Sequence, residues 1–350
     1  MRRVLVTGGA GFIGSHTCIA LLKNNYNVVV VDSFINSKPK SLKRVAKICN
    51  INHNSQNNKL DIFKGDIRDK IFLESVFKKY ELGEQKIDAV IHFAGLKSVS
   101  ESVSNPLNYW DANVLGTLNL VNIMNKYNCK EIVFSSSATI YGSPKGKYLN
   151  ETSFINPVNT YGSTKFVIEK LLNNLFASDK KNWRIANLRY FNPVGAHKSG
   201  LIGEDPNGLP NNIFPHITQV ASGRLDLFKI FGSDWPTPDG TGIRDYIHVM
   251  DLAESHLSAL QFLESNNSQI ISLNIGTGIG TSVLELLRNF ESVNKLKIKY
   301  IFTDRRDGDV PRLVADSSLA KKLLNWKPKR NIEDICKDGW KWQLLNPKGY

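Results

Sequence analysis

"VTGGAGFIGSH", residues Val6–His16, sets Gly8, Gly11 and Gly14 directly behind a short β-branched run and at the opening of an apolar-periodic segment. Glycine has no Cβ, so such a turn can bend tightly, let an anion approach backbone N–H groups, and let the next helix pack closely on its strand. Glycine spacing alone is a weak sign, and the neighbourhood gives it weight. A second β-branched run, Asn27–Val31, follows the helical segment and leads into Asp32. A carboxylate there can accept hydrogen bonds from ribose hydroxyls and repels a 2′-phosphate, so the whole unit reads as a dinucleotide site that prefers NAD to NADP.

The same rhythm continues outward. Strands are expected at Arg3–Thr7, Asn27–Val31, Leu60–Lys64, Ala89–Phe93, Glu131–Ser135 and Ile185–Arg189, with helices at Ile13–Asn24, Asp69–Tyr80, Pro106–Tyr127 and Tyr161–Ser178. Strands alternating with helices imply a parallel sheet covered on both faces, an α/β, Rossmann-type doubly wound domain. After Asn192 the rhythm gives way to Gly- and Pro-rich turns such as "GEDPNGLPNN" and "GSDWPTPDGTG". We therefore expect residues 1–191 to form the NAD-binding domain and 192–350 a smaller α/β substrate lobe, partly interleaved with the first sheet. "CNINHNSQNNK", Cys49–Lys59, reads as a polar surface excursion.

Composition narrows the partners. Of 350 residues, 41% are hydrophobic and 22% charged, as in ordinary globular chains. The start has no signal-peptide pattern and no apolar run approaches a membrane span, so a cytoplasmic protein without membrane contact is expected. Cys18, Cys49, Cys129 and Cys336 lie far apart and suit neither zinc nor a disulfide framework, and no metal is expected. The net charge of +13 is scattered, and its densest stretch, Ser37–Lys47, lacks interleaved aromatics, which argues for a solvated basic surface and against nucleic acid.

Catalytic residues are sought where ligands bind, at the carboxyl ends of the strands. "GDIRD" puts Asp66 and Ile67 there, and "HFAGLK" puts Phe93, Ala94, Gly95 and Lys97 there. "FSSSATIYG" leaves Ser137 at the end of the fifth strand, and "TYGSTK" opens the next helix with Tyr161 and Lys165 four residues apart, on one helical face. A neighbouring ammonium and a positive nicotinamide ring would lower the phenol from its usual pKa of about 10 toward neutrality. The phenolate could then take a proton from a substrate hydroxyl while NAD accepts the hydride.

Glycine turn, strand-end serine and Tyr-x-x-x-Lys together resemble the extended short-chain dehydrogenase/reductases. "LRYFNPVGAH", "GEDPNGLPNN", "DGTGIRDYIHVMDLA" and "RRDGDVPRLVAD" resemble the UDP-galactose 4-epimerase family within them, nearly from end to end. The resemblance implies a homodimer that interconverts UDP-glucose and UDP-galactose, with Ser137, Tyr161 and Lys165 as the catalytic set. It implies NAD contacts at Phe12, Ile13, Asp32, Asn36, Ser37, Asp66, Ile67, Phe93, Lys97, Asn113 and Phe191. UDP-sugar contacts are implied at Lys97, Asn192, Asn212, Phe231, Arg244, Tyr246, Arg306 and Asp309, and Leu313 matches a position near the sugar C2 substituent. Thr160 stands where the family usually has Pro, and Ala112 where it often has Asn.

Dehydratases on this scaffold need an acidic residue beside the strand-end hydroxyl, where this chain has Ser137, Ala138 and Thr139. Two other readings stay open on sequence, a 4-epimerase of another UDP sugar and a non-catalytic NAD-binding protein of the same fold.

Overall fold

The computed structural model describes residues 1–51, 59–144, 146–208, 210, 212–306 and 308–350. The first half alternates strand and helix: β1 (Arg3–Thr7), α1 (Phe12–Lys23), β2 (Asn27–Asp32), α2 (Pro39–Ile48), β3 (Leu60–Lys64), α3 (Lys70–Lys79) and β4 (Ala89–His92). Then come α4 (Val99–Ser104), α5 (Pro106–Tyr109), a π-helical turn at Trp110–Leu115, α6 (Gly116–Lys126), β5 (Glu131–Ser137), α7 (Thr160–Ser178) and β6 (Arg184–Tyr190). The remainder runs β7 (Asn192–Val194), α8 (Ile213–Ala221), β8 (Phe228–Phe231), β9 (Ile243–His248), α9 (Val249–Ser265), β10 (Gln269–Ile275) and β11 (Gly280–Ser282). It closes with α10 (Val283–Asn294), β12 (Tyr300–Thr303), β13 (Arg312–Leu313), α11 (Ser318–Leu324) and α12 (Ile332–Leu345).

Seven parallel strands form the main sheet in the order β10-β6-β5-β4-β1-β2-β3. Alternation across each strand sends neighbours to opposite faces. Val4 and Val6 pack with Ile19, Leu42, Leu252 and Leu257 under α1, α2 and α9, while Leu5 joins Leu73, Leu120, Ile168 and Leu172 under α3, α6 and α7. The strand order reverses between β1 and β4, opening a crevice at their carboxyl ends. A smaller part pairs β9 with β7, β11 and β13, and β8 with β12, around Phe214, Phe290, Leu287 and Ile335.

The six expected strands and four expected helical regions are present, with two differences. Ser37–Lys47 is not merely a solvated basic surface, because Leu42, Val45 and Ala46 of α2 are buried and only the lysine-bearing face meets water. The helix expected over Pro106–Tyr127 is broken by the π-helical turn, whose wider winding turns Asn113 inward. The large sheet takes α9 and β10 from beyond residue 192, with β10 laid beside β6. Most of the polar excursion Cys49–Lys59 lies outside the described residues.

Candidate active site

The glycine turn is shaped as its spacing suggests. Gly8 has φ +70°, and a Cβ on it would lie 2.7 Å from Ala94 N. A Cβ on Gly14 would lie 2.3 Å from Gly8 O, so turn and helix can approach this closely only without side chains. Gly11 caps α1 with no side-chain bond and the first turn carries no acid, which leaves its N–H groups free for an anion. Phe12 and Ile13, half-buried, begin that turn. The donor set therefore fits a pyrophosphate.

At the end of β2, Asp32 accepts from Ala10 N and Phe34 N at 2.9 Å each and from Ser37 Oγ at 2.8 Å. Three bonds on two carboxylate oxygens leave acceptor capacity for a ribose hydroxyl. Asn36 is exposed beside it. Asp66 meets Arg68 at 2.7 Å, and that bond holds its carboxyl below the usual range, while Ile67 is buried. The Asp66 side chain is thus engaged within its own loop.

A chain of hydrogen bonds fixes the loop after β4. Thr117 Oγ1 donates to Asn113 O at 2.5 Å, so its oxygen accepts from His92 Nε2 at 2.9 Å. His92 Nδ1 must then accept from Thr7 Oγ1 at 2.7 Å, and Thr7 Oγ1 accepts from Ala94 N at 3.3 Å. Burial, with Lys165 nearby, pulls His92 down to about 3, which keeps this neutral tautomer. Asn113 spends its side chain on Leu96 N, Leu96 O and Thr164 Oγ1, so it acts on any ligand through the Gly95–Lys97 loop. Phe93 stacks on His256 with ring centres 4.7 Å apart.

The fifth strand and seventh helix bring the catalytic candidates together. Asn159 caps α7 by accepting from Gly162 N, and a Cβ on Gly162 would lie 2.9 Å from Thr139 O. That close approach sets Tyr161 against the end of β5, where the Ser137 hydroxyl offers its phenol a hydrogen bond. Lys165 Nζ donates to Ser135 O at 2.8 Å and lies 4.9 Å from the centre of the Phe134 ring. The expected lowering of the tyrosine is not found in the protein alone. Burial pushes the Tyr161 phenol up to about 12 against the Ser137 bond, and burial pulls Lys165 down to about 7. Desolvation outweighs the attraction between the two.

Most of the expected sugar-nucleotide residues converge in the second part. Arg306 stacks on Phe231 at 4.6 Å and donates to Asp309 at 3.1 Å, while Arg244 approaches the same Asp309 at 3.6 Å. Tyr246 is buried close to both arginines. Asn192 sits opposite Tyr246 in the β7–β9 pair, and its Oδ1 is buried without a partner among the described residues. Leu313 pairs with Arg244 and packs on the cluster that holds Ile140, Phe191 and Ala138, the residue next to Ser137 in the chain. Asn212 and Lys97 instead meet at Glu204, a residue not singled out above.

Glu169 also escaped the sequence reading. It is buried on α7, four residues beyond Lys165, and binds Arg189 of β6 and Ser136 Oγ of β5. No group of acids, histidines and cysteines suited to a metal occurs among the described residues.

Residues 5–339 match the family model described as GDP-mannose 4,6 dehydratase. The UDP-glucose 4-epimerase of Bacillus subtilis (strain 168) is 48% identical over 347 residues, 99% of this chain and 98% of that one. Among solved structures, UDP-glucose 4-epimerase from Bifidobacterium longum in complex with NAD+ and UDP aligns with a TM-score of 0.93 at 44% identity, covering 99% of this chain and 100% of that one. The UDP-Glc/GlcNAc 4-epimerase of Campylobacter jejuni aligns at 0.82 and 32% identity, with 99% and 100% covered.

Proposed function

Because this chain belongs to the UDP-glucose 4-epimerase family of extended short-chain dehydrogenase/reductases, we propose that Ser137, Tyr161 and Lys165 carry its reaction. The protein is an NAD-dependent isomerase that interconverts UDP-glucose and UDP-galactose through oxidation and reduction at C4. NAD, when bound, would supply the hydride acceptor and donor and, in its oxidised form, a positive charge that favours the phenolate. Tyr161 takes the proton of the 4-hydroxyl and later returns it, Ser137 hydrogen-bonds the same oxygen, and the Lys165 cation favours the phenolate. Turning of the 4-keto sugar before reduction presents its other face and inverts C4.

The observation that carries this reading is the convergence of Ser137, Tyr161 and Lys165 at the end of β5, with Ala138 and Thr139 beside the hydroxyl and Glu169 consumed by Arg189. With no free carboxylate at that place among the described residues, the keto sugar meets no eliminating base there and takes its hydride back. Gly8, Gly11, Phe12, Ile13, Gly14, Asp32, Asn36, Ser37, Asp66, Ile67, Phe93, Ala94, Gly95, Lys97, Asn113, Tyr161, Lys165 and Phe191 form the NAD side. Lys97, Asn192, Asn212, Phe231, Arg244, Tyr246, Arg306, Asp309 and Leu313 form the UDP-sugar side. In this division residues 1–191 serve the dinucleotide, and 192–350 serve the sugar nucleotide while lending α9 and β10 to the sheet. Purified protein mixed with UDP-galactose, with no cofactor added, should form UDP-glucose without accumulating NADH. Stoichiometric NADH release would contradict the scheme.

We read the chain further as a cytosolic homodimer. Its four cysteines are free thiols, three of them buried, which suits a reducing compartment. Val103, Leu107, Trp110 and Leu118 recur at helical spacing and are exposed, with Phe154 and Val158 exposed on the segment before α7. Exposed apolar side chains gathered in these segments fit a second copy of the chain. Leu107→Glu should shift the sedimentation coefficient from dimer to monomer, and an unmoved value would exclude this face.

A further inference from the structure

Gly203, Glu204 and Asp205 form a strap between the two halves of the molecule, and each of the three is held by bonds that do not involve the Glu204 side chain. Gly203 N donates to Tyr350 Oη at 3.1 Å, and Tyr350 Oη donates to Gly203 O at 3.2 Å. A Cβ on Gly203 would lie 2.4 Å from the Trp342 ring, whose Nε1 donates to Glu204 O at 3.2 Å. Asp205 accepts from Lys38 Nζ at 2.6 Å and from Tyr350 N at 2.9 Å. The strap keeps its shape without help from the Glu204 side chain.

That side chain is only 7% exposed, and its Oε1 accepts from Lys97 Nζ at 3.1 Å and from Asn212 Nδ2 at 2.5 Å. One donor comes from the loop after β4 and the other from the segment leading into α8. The Lys97 backbone is set by Asn113, which grips Leu96 on both its N–H and its carbonyl, but the Lys97 side chain is 58% exposed. Without an anchor it samples many rotamers, and a ligand that recruits it must bear the ordering cost.

We propose that Glu204 is a positioning residue for the sugar nucleotide, holding Lys97 and Asn212 together across the mouth between the two halves before the ligand arrives. The inference rests on the reading of Lys97 and Asn212 as sugar-nucleotide contacts. Glu204 touches neither reacting atom, so it acts on binding and not on the chemical step. Its oxygen does the holding. A glutamine keeps that acceptor, whereas alanine frees both partners.

Titration calorimetry with UDP-glucose on the NAD-loaded protein tests this, alongside steady-state kinetics. Glu204→Ala should weaken binding about tenfold, the scale of leaving two side chains to be ordered by the ligand. KM should rise by a similar factor with kcat little changed, and Glu204→Gln should restore binding to within about threefold. Adding Glu204→Ala to Lys97→Met should weaken binding by clearly less than the product of the two single effects, because the carboxylate works partly through that lysine. If Lys97→Met and Asn212→Ala weaken binding but Glu204→Ala does not, or if the effects of Glu204→Ala and Lys97→Met simply multiply, Glu204 has no positioning role. If Lys97→Met and Asn212→Ala both bind like wild type, the contact reading itself fails and the inference falls with it.

Discussion

Lys165 Nζ stands 5.8 Å from the centre of the Tyr161 ring, one helical turn along α7, and both side chains are buried. Burial moves them in opposite directions, the phenol up to about 12 and the ammonium down to about 7, so each charge is costly unless it faces another. Proton transfer within the site is therefore governed by the charges a ligand brings as much as by the pair itself.

Tyr161→Phe should keep the fold and NAD binding while lowering kcat by at least about a hundredfold, since only the proton-carrying oxygen is lost. Lys165→Met should move the acid limb of the rate profile to higher pH, because a phenol without its neighbouring cation ionises later. A pH–rate series on both variants checks this, and a fully active phenylalanine variant would remove Tyr161 from the mechanism.

Asp32→Ala should weaken NAD and narrow the preference over NADP, because the acceptor that Ser37 and two backbone N–H groups hold in place is gone. Direct binding of the two dinucleotides reads the outcome. An unchanged ratio would place Asp32 outside the site.

Glu169→Ala leaves Arg189 charged and buried, with side-chain exposures of 3% and 7% for the pair. Breaking such a pair costs about 3–5 kcal/mol. Because the pair joins α7 to β6 and Ser136 to both, a lower urea midpoint should come with reduced turnover. Glu169→Gln should recover part of each.

Acid should destabilise the protein early. His16 and His256 each bond a carbonyl four residues back through Nδ1, leaving Nε2 buried with no partner among the described residues. Burial lowers His16 and His92 to about 3 and His256 to about 4. The unfolded chain takes up protons near pH 6.5, whereas the fold does not until far lower, so stability is full above 6.5 and falls as pH drops toward 4. Each group contributes about 1.4 kcal/mol per pH unit across that window. Urea midpoints at pH 7.5 and 5.5 should differ clearly, and His256→Phe should reduce the proton uptake by about one. A flat profile would refute the reading.

Leu313, packed on the cluster that holds Ala138 and Phe191, should limit an N-acetyl group at the sugar C2 position. Crowding a packed side chain costs about 1–3 kcal/mol, or roughly five- to a hundredfold in discrimination. UDP-glucose should be preferred to UDP-N-acetylglucosamine, and Leu313→Ser should narrow the ratio of their kcat/KM values. A ratio that stays put in an active serine variant means another residue sets the limit.

The parts of the molecule legible in the sequence are those written in local periods. The glycine turn, six strands and the Tyr161–Lys165 face all depend on neighbours within a few residues. What stayed hidden depends on distant pairing. Nothing near Glu169 announces Arg189, and nothing near Glu204 announces Lys97, 107 residues away. The apolar face of α2 was masked by its lysines, although Leu42, Val45 and Ala46 carry helical spacing. The raised phenol of Tyr161 in the protein alone stayed hidden for a related reason, since the sequence displays a charge partner but not the depth of burial.

Strand β10 has a consequence for the order in which the molecule can assemble. It pairs with β6, yet Asn187 and its partner Ser272 are 85 residues apart. As the chain leaves the ribosome, β6 is made long before its neighbour, and its open edge must wait for α8, the second core and α9 to emerge. A fragment ending at residue 191 would carry a permanent unpaired edge on a strand with buried residues on both faces, the feature that drives strands of separate molecules together. A fragment of residues 1–191 is thus expected to associate through that edge, and one that keeps β10 is not.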